Sequence, residues 1–149
     1  MHHAMLLLHV LAATVWTGGH LVLALAVLPR VLRERSVQRL RDFESAYERV
    51  GLPAMVVQVA TGGWLAQTWL PTAADWHNID SPVTVLVWIK LALLAATVVT
   101  AAHARLVIIP RLTEATLPAM ARRIAFVTVL SVAFVVAGVG LRFGSILPA

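Results

Sequence analysis

The sequence predicts an all-α integral membrane protein, a bundle of four transmembrane helices, and three observations carry that prediction. Of its 149 residues, 60% are hydrophobic and only 13% charged, where a soluble domain carries about 25% charged residues. Four apolar stretches each approach the roughly 20 residues a helix needs to cross a bilayer. The basic residues crowd into two of the three connections between those stretches, the pattern of cytoplasmic loops. No room is left for a separate soluble domain, so the whole chain, 1–149, reads as one membrane domain. The absence of cysteine excludes disulfides, thiolate-bound zinc, iron–sulfur clusters and covalently attached haem. The formal charge of +5 follows from membrane topology rather than from a nucleic-acid partner.

The spans are expected at residues 5–28, 52–70, 83–109 and 124–147. Each must be helical, because in hydrocarbon the backbone has to satisfy its own hydrogen bonds. The first connection holds Arg30, Arg33, Arg35, Arg39, Arg41 and Arg49, and the third holds Arg111, Arg122 and Arg123; both are expected in the cytoplasm. The second connection carries Asp75, His77 and Asp80 without a basic residue and belongs outside with both termini, giving an N-out, C-out topology in a bacterial inner membrane. The N-terminal run lacks the basic start of a signal peptide and is too long for its apolar region. Val37, Leu40, Phe43, Tyr47 and Val50 recur at helical spacing, so residues 36–50 form an amphipathic cytoplasmic extension of the second helix, with a bend at Gly51 and Pro53.

An internal repeat is visible. Aligning Pro29-Arg30 with Pro110-Arg111 sets the first and third spans in register at an offset of 81 residues, which places His9 opposite Lys90. A second echo joins Thr17-Gly18-Gly19 to Thr61-Gly62-Gly63, small residues that let helices approach closely. Gly138, Gly140 and Gly144 on the last helix suit a homodimer contact for the same reason.

Counting inward from the arginine-rich boundaries, His20, Gln58, His103 and Ser131 all fall roughly 12–15 Å deep at 1.5 Å per residue. Ionisable groups at that depth face the bundle interior and carry function. His9, Trp16 and His20 lie within about 20° of one another on one face of the first helix. On the third helix Lys90 and His103 point in different directions; His103 is expected inward, while Lys90 reaches the headgroups along its stem.

Two chemistries stay open for this layer. His20 and His103 suit axial ligation of haem b, with Trp16 in the pocket wall and Gln58 or Ser131 orienting an imidazole; such a protein moves electrons in the membrane, with a redox partner or a quinone. Alternatively His20, His103 and His9 with Met5 form a relay for copper, since imidazole and thioether both bind that metal. Plain interhelical hydrogen bonding is the third reading. At the outer face Met1-His2-His3 offers an amine, two amides and the His3 imidazole in the square-planar set Cu(II) favours, or is simply a polar tail. Arg142 either pairs with an acidic ligand or snorkels. Glu44 and Glu48 read as solvated partners of Arg41 and Arg49, and no nucleophile–base pair or phosphate loop stands out, so any redox enzyme here would rely on a cofactor.

The run from His9 through Trp16-Thr-Gly-Gly-His20 to Pro29-Arg30, the Trp88-Ile-Lys90-Leu opening of the third span, and the stretch from Pro53 to Leu65 resemble the copper resistance protein D family. That resemblance implies a helical inner-membrane protein in copper handling, taking copper from a periplasmic donor. A more distant resemblance is to HemJ-type protoporphyrinogen oxidases, four-helix proteins that bind haem b, through His9, Trp16, Pro29, Arg30 and Lys90. Here Trp16 and Pro29 stand about one helical turn farther apart than in that family, with His20 in the extra segment.

Overall fold

The computed structural model describes residues 1–143, and these are all helix and turn. Helix α1 (His2–Val22) runs through a π-helical segment (Leu23–Val27) into α2 (Leu28–Glu34), making one continuous rod. Arg35 then takes the left-handed conformation at φ 50°, and the Ser36 amide donates back to the Val31 carbonyl at 3.1 Å, the six-to-one bond that closes a helix. Ser36 also starts the next helix, its hydroxyl accepting from the Arg39 amide at 3.2 Å. Helix α3 (Val37–Trp69) returns as a second 33-residue rod. After the single turn α4 (Ala73–His77), α5 (Pro82–His103) passes through another π segment (Ala104–Ile108) and two 3-10 turns to α6 (Leu117–Phe143).

Three of these rods, His2–Glu34, Pro82–Arg111 and Glu114–Arg142, are long and apolar enough to cross a membrane. The end of the fourth expected span and Gly144 lie outside the described residues. In α3 the polar residues Gln58, Thr61, Gln67 and Thr68 dilute the apolar half, and Arg39, Arg41, Asp42, Glu44, Glu48 and Arg49 charge the other. The helix does not break at Gly51 and Pro53: α3 is one helix through both. Gly51 is buried under the Tyr47 ring, where an added Cβ would stand 2.9 Å from the ring, so it serves close packing; Pro53 sits on an exposed face.

Residues 37–50 are continuous with the rest of α3, as expected from their helical spacing, and pack along the first rod. Leu40 packs with Leu28 and Val31, joined by Leu112, Leu117, Met120 and Ile124 in an apolar cluster at the arginine-rich end. A smaller cluster of Ala66, Leu70 and Val87 closes the opposite end, where Trp76 meets Trp88 edge-on at 6.0 Å. Helix α1 packs mainly on α3 and α6, and α5 on α6; the π segment that follows α5 is tied to α3 by the Arg105–Glu48 ion pair. Buried hydroxyls are satisfied by helix carbonyls, as in Thr97 to Leu93 at 2.8 Å and Ser131 to Thr128 at 2.8 Å, so the interior carries no orphaned hydroxyl there. Leu25 and Leu106 are 74% and 75% exposed, as side chains that meet lipid should be.

Candidate functional site: the histidine face of α1

Hydrogen bonds fix the relative depth of each polar residue. His9 on α1 places Nδ1 3.1 Å from the Gln58 carbonyl and 3.0 Å from the Thr61 hydroxyl of α3. Further along, Thr17 donates to the Ser131 carbonyl at 3.4 Å and Thr128 donates to the His20 carbonyl at 3.3 Å. His103 on α5 stands level with Arg123 of α6, whose Nη1 is 2.8 Å from the imidazole Nδ1. The single polar layer expected from residue counting is thus a staircase: Gln58 lies at the His9 level, Ser131 at the Thr17 level, His20 at the Thr128 level and His103 beside Arg123. The count misplaced Gln58 because it took Val50 as the boundary of α3, whereas Tyr47 already stands beside Trp16 and Gly19, and misplaced His103 because it started from Arg111, whereas Arg123 stands level with the imidazole.

The same contacts fix which ring nitrogen carries the proton. A carbonyl oxygen only accepts, so the Nδ1 of His9 donates to Gln58. The Thr61 hydroxyl spends its own proton on the Val57 carbonyl at 2.6 Å and accepts from His9 as well. The Nε2 of His9 is left with its lone pair, the form in which a neutral imidazole binds a metal. Gly62 makes room for the ring, since an added Cβ would lie 3.0 Å from Cε1. His20 repeats the arrangement within its own helix, donating from Nδ1 to the Trp16 carbonyl at 2.9 Å. Its ring packs 4.6 Å from the buried Trp16 and meets Tyr47 edge-on at 5.7 Å.

His103 is the opposite case. A guanidinium has only donors, so Arg123 occupies the Nδ1 lone pair and the proton sits on Nε2. The side chain is exposed, contrary to the inward orientation expected from sequence, because α6 presents the arginine directly beside it. The structure therefore does not set His20 and His103 face to face: His20 packs against the α3 ring of Tyr47, and His103 is bonded to α6.

Of the remaining expected residues, Met5 is half-buried and His3 exposed. His2 lies 5.8 Å from the Trp64 ring. Because α1 begins at His2, a square-planar chelate at Met1-His2-His3 requires unwinding its first turn. Among the described residues no three His, Asp or Glu side chains gather at one point. His2, Trp69, Asp75, Asn78 and Arg142 line a cavity of about 360 Å³ at this end. Hydrogen bonds from Thr72 hold the Asp75 carboxyl below its ordinary range, so it is an anion at neutral pH.

Two residues here carry more than the sequence indicated. Tyr47 donates its hydroxyl to the Trp16 carbonyl at 2.9 Å and fills the notch at Gly19, where an added Cβ would fall 2.0 Å from the ring. The signal was the pairing of an aromatic on one helix with glycines on both, but the facing register is invisible in one sequence. Lys90 reaches across to α6: its Nζ lies 5.9 Å over the Phe134 ring and beside Gly138. Gly138 is seven residues beyond Ser131, and Val10 seven before Thr17, so Lys90 stands near the His9 level.

The sequence model of the copper resistance protein D family matches residues 41–143. The matched part contains α5, α6 and nearly all of α3, while the α1 histidines lie before it. No curated protein and no solved structure matches the chain.

Proposed function

The chain belongs to the copper resistance protein D family, a multi-pass membrane protein related to copper resistance, and we propose that it takes copper ions at the outer face of a bacterial inner membrane and passes them inward along α1. The observation that carries this reading is the pair His9 and His20, on one face of one helix, each with Nδ1–H fixed on a main-chain carbonyl and the Nε2 lone pair presented. The two stations stand about 16 Å apart along the helix. His2 and Met5 extend the same end of α1 toward the polar cavity, and imidazole with thioether suits Cu(I). Single-imidazole stations bind weakly enough to release an ion onward, which conduction requires. The arginine-rich end is cytoplasmic and α3 is the fourth crossing in this reading, supported by the six arginines between Arg30 and Arg49.

The geometry favours copper over haem b, because the tautomers of His20 and His103 differ and their rings face different helices. The test is Cu(I) titration of the detergent-purified protein with iron counted on the same sample. The expected result is copper binding that weakens at least about tenfold in both His9→Ala and His20→Ala and is unchanged in His103→Ala. Sharp reduced haem bands with stoichiometric iron, lost in His20→Ala and His103→Ala, overturn this reading in favour of a b-type cytochrome.

A further inference from the structure

The chain builds the same device twice. His2–Glu34 followed by Val37–Trp69, and Pro82–Arg111 followed by Leu117–Phe143, are each an outgoing rod, a tight connection and a returning rod. A shift of 81 residues carries the π segment Leu23–Val27 onto Ala104–Ile108. It carries the Leu28 amide bond to the Leu23 carbonyl onto the Ile109 amide bond to the Ala104 carbonyl, and the three-quarters exposed Leu25 onto the equally exposed Leu106. The cause is the proline that follows each segment. Pro29 and Pro110 have no amide to give, and their rings press on the carbonyl four residues back, which is Leu25 in one half and Leu106 in the other. The ladder slips by one residue, and the helix widens at the same place in both halves.

Both widened segments border the apolar cluster at the arginine-rich end. Leu23, Ala24, Val27 and Ile108 pack against a plug made by Leu28, Val31, Leu40, Leu112, Leu117, Met120 and Ile124, to which the first rod, α3, α6 and the α5–α6 turn contribute. No residue of that plug is polar, and such a constriction stops an ion by excluding its water. His20 is the last histidine of α1 before it. At the other end the molecule has a polar cavity.

We propose that the two π segments are paired hinges of an inner gate, that the apolar plug is the gate, and that the structure shows it closed with the outer end accessible. This rests on copper travelling along α1. Replacing the i→i−5 bond at Leu28 by an ordinary i→i−4 bond rotates α2 by one residue, about 100°, and turns Leu28 and Val31 out of the plug; the equivalent change at Ile109 moves the α5 side. Two equal hinges at one depth open the gate from both halves.

The test uses the full chain in proteoliposomes with Cu(I) as the probe, and hydrogen exchange on the same preparation. The double substitution Pro29→Ala and Pro110→Ala restores the missing amides, favours a continuous α-helix and is not expected to impair folding. It should slow amide exchange across 23–28 and 104–109 at least about tenfold, and, because the ordinary helix is the open form of the gate, raise Cu(I) uptake several-fold while Cu(I) binding stays intact. Leu117→Ala, which thins the plug, should raise uptake several-fold. Wild-type exchange in these segments as slow as in the double variant overturns the hinges, whatever copper does. Wild-type uptake by the double variant overturns the gate. A wild-type protein that binds no Cu(I) overturns the copper reading instead, and the exchange arm still decides the hinges.

Discussion

His9 and His103 are the same side chain set to opposite states by one neighbour each: a carbonyl takes the Nδ1 proton of His9, and a guanidinium takes the Nδ1 lone pair of His103. Removing the guanidinium should free the second histidine. Arg123→Gln is expected to raise the reactivity of His103 toward an imidazole-modifying reagent several-fold, read by mass spectrometry, while Cu(I) affinity stays at the wild-type value. Thr61→Val leaves the Gln58 carbonyl but removes one of the two acceptors that orient His9. Loss of such an orienting partner should weaken Cu(I) binding by about tenfold; an unchanged titration would show that the carbonyl alone suffices. Gly19→Ala drives a methyl into the Tyr47 ring. Overpacking of this kind costs about 1–3 kcal/mol, seen as a lower melting temperature, and Tyr47→Ala in the same chain should recover part of it. The shared face of His9, Trp16 and His20 was legible because 3.6-residue periodicity needs only one helix. The partner of His103 was not, because it depends on the register between α5 and α6, and counting His103 inward from Arg111 missed that Arg123 stands level with it.

At the level of elements, what decides the first hairpin is the single left-handed residue Arg35. A side chain there strains the backbone, so Arg35→Gly should stabilise the hairpin by up to about 1 kcal/mol against the entropy glycine gains when unfolded. Chemical denaturation of the two forms measures the difference, and a less stable glycine variant would show that the Arg35 side chain contributes more than its strain removes. At the other end, α4 is held by a capping box in which Thr72 and Asp75 bond reciprocally. The Asp75 carboxyl lies below its ordinary range in the folded state, so its contribution is present above the usual carboxylate value and is lost as pH falls through the folded one. Near-ultraviolet circular dichroism of the Trp76–Trp88 pair should therefore change only below about pH 4, and Asp75→Asn should show the acid form of the signal at neutral pH. The repeat was legible in the sequence from its two Pro-Arg pairs. Its π segments were not, because a proline in a helix permits a kink, a bulge or a simple end, and packing against the plug selects among them.

For the molecule as a whole, the question is what the two 33-residue rods do in a bilayer. Each is about 50 Å long, some 20 Å more than the hydrocarbon core, and the excess falls where the arginines are, on α2 and the first half of α3. If both rods cross, a pair of that length projects from the membrane at its charged end, with the plug of Leu28, Val31 and Leu40 near the interface on the arginine-rich side. The apolar rods and the all-helical class were legible from composition. The role of α3 was harder to read, since Gln58, Thr61, Gln67 and Thr68 lower its hydropathy and only Thr61 has its side chain on His9. If α3 crosses, Arg35 and Asn78 lie on opposite sides of the membrane; if it lies along one surface, they lie on the same side. The sequence contains no cysteine, so single cysteines report without background. Asn78→Cys should react with an impermeant maleimide added to intact cells, and Arg35→Cys should react only after the membrane is opened. Labelling of both from outside would remove α3 as a crossing, and with it the passage of copper from His9 toward the gate. Labelling of Arg35→Cys alone would keep the four crossings and reverse the direction in which the ion meets them.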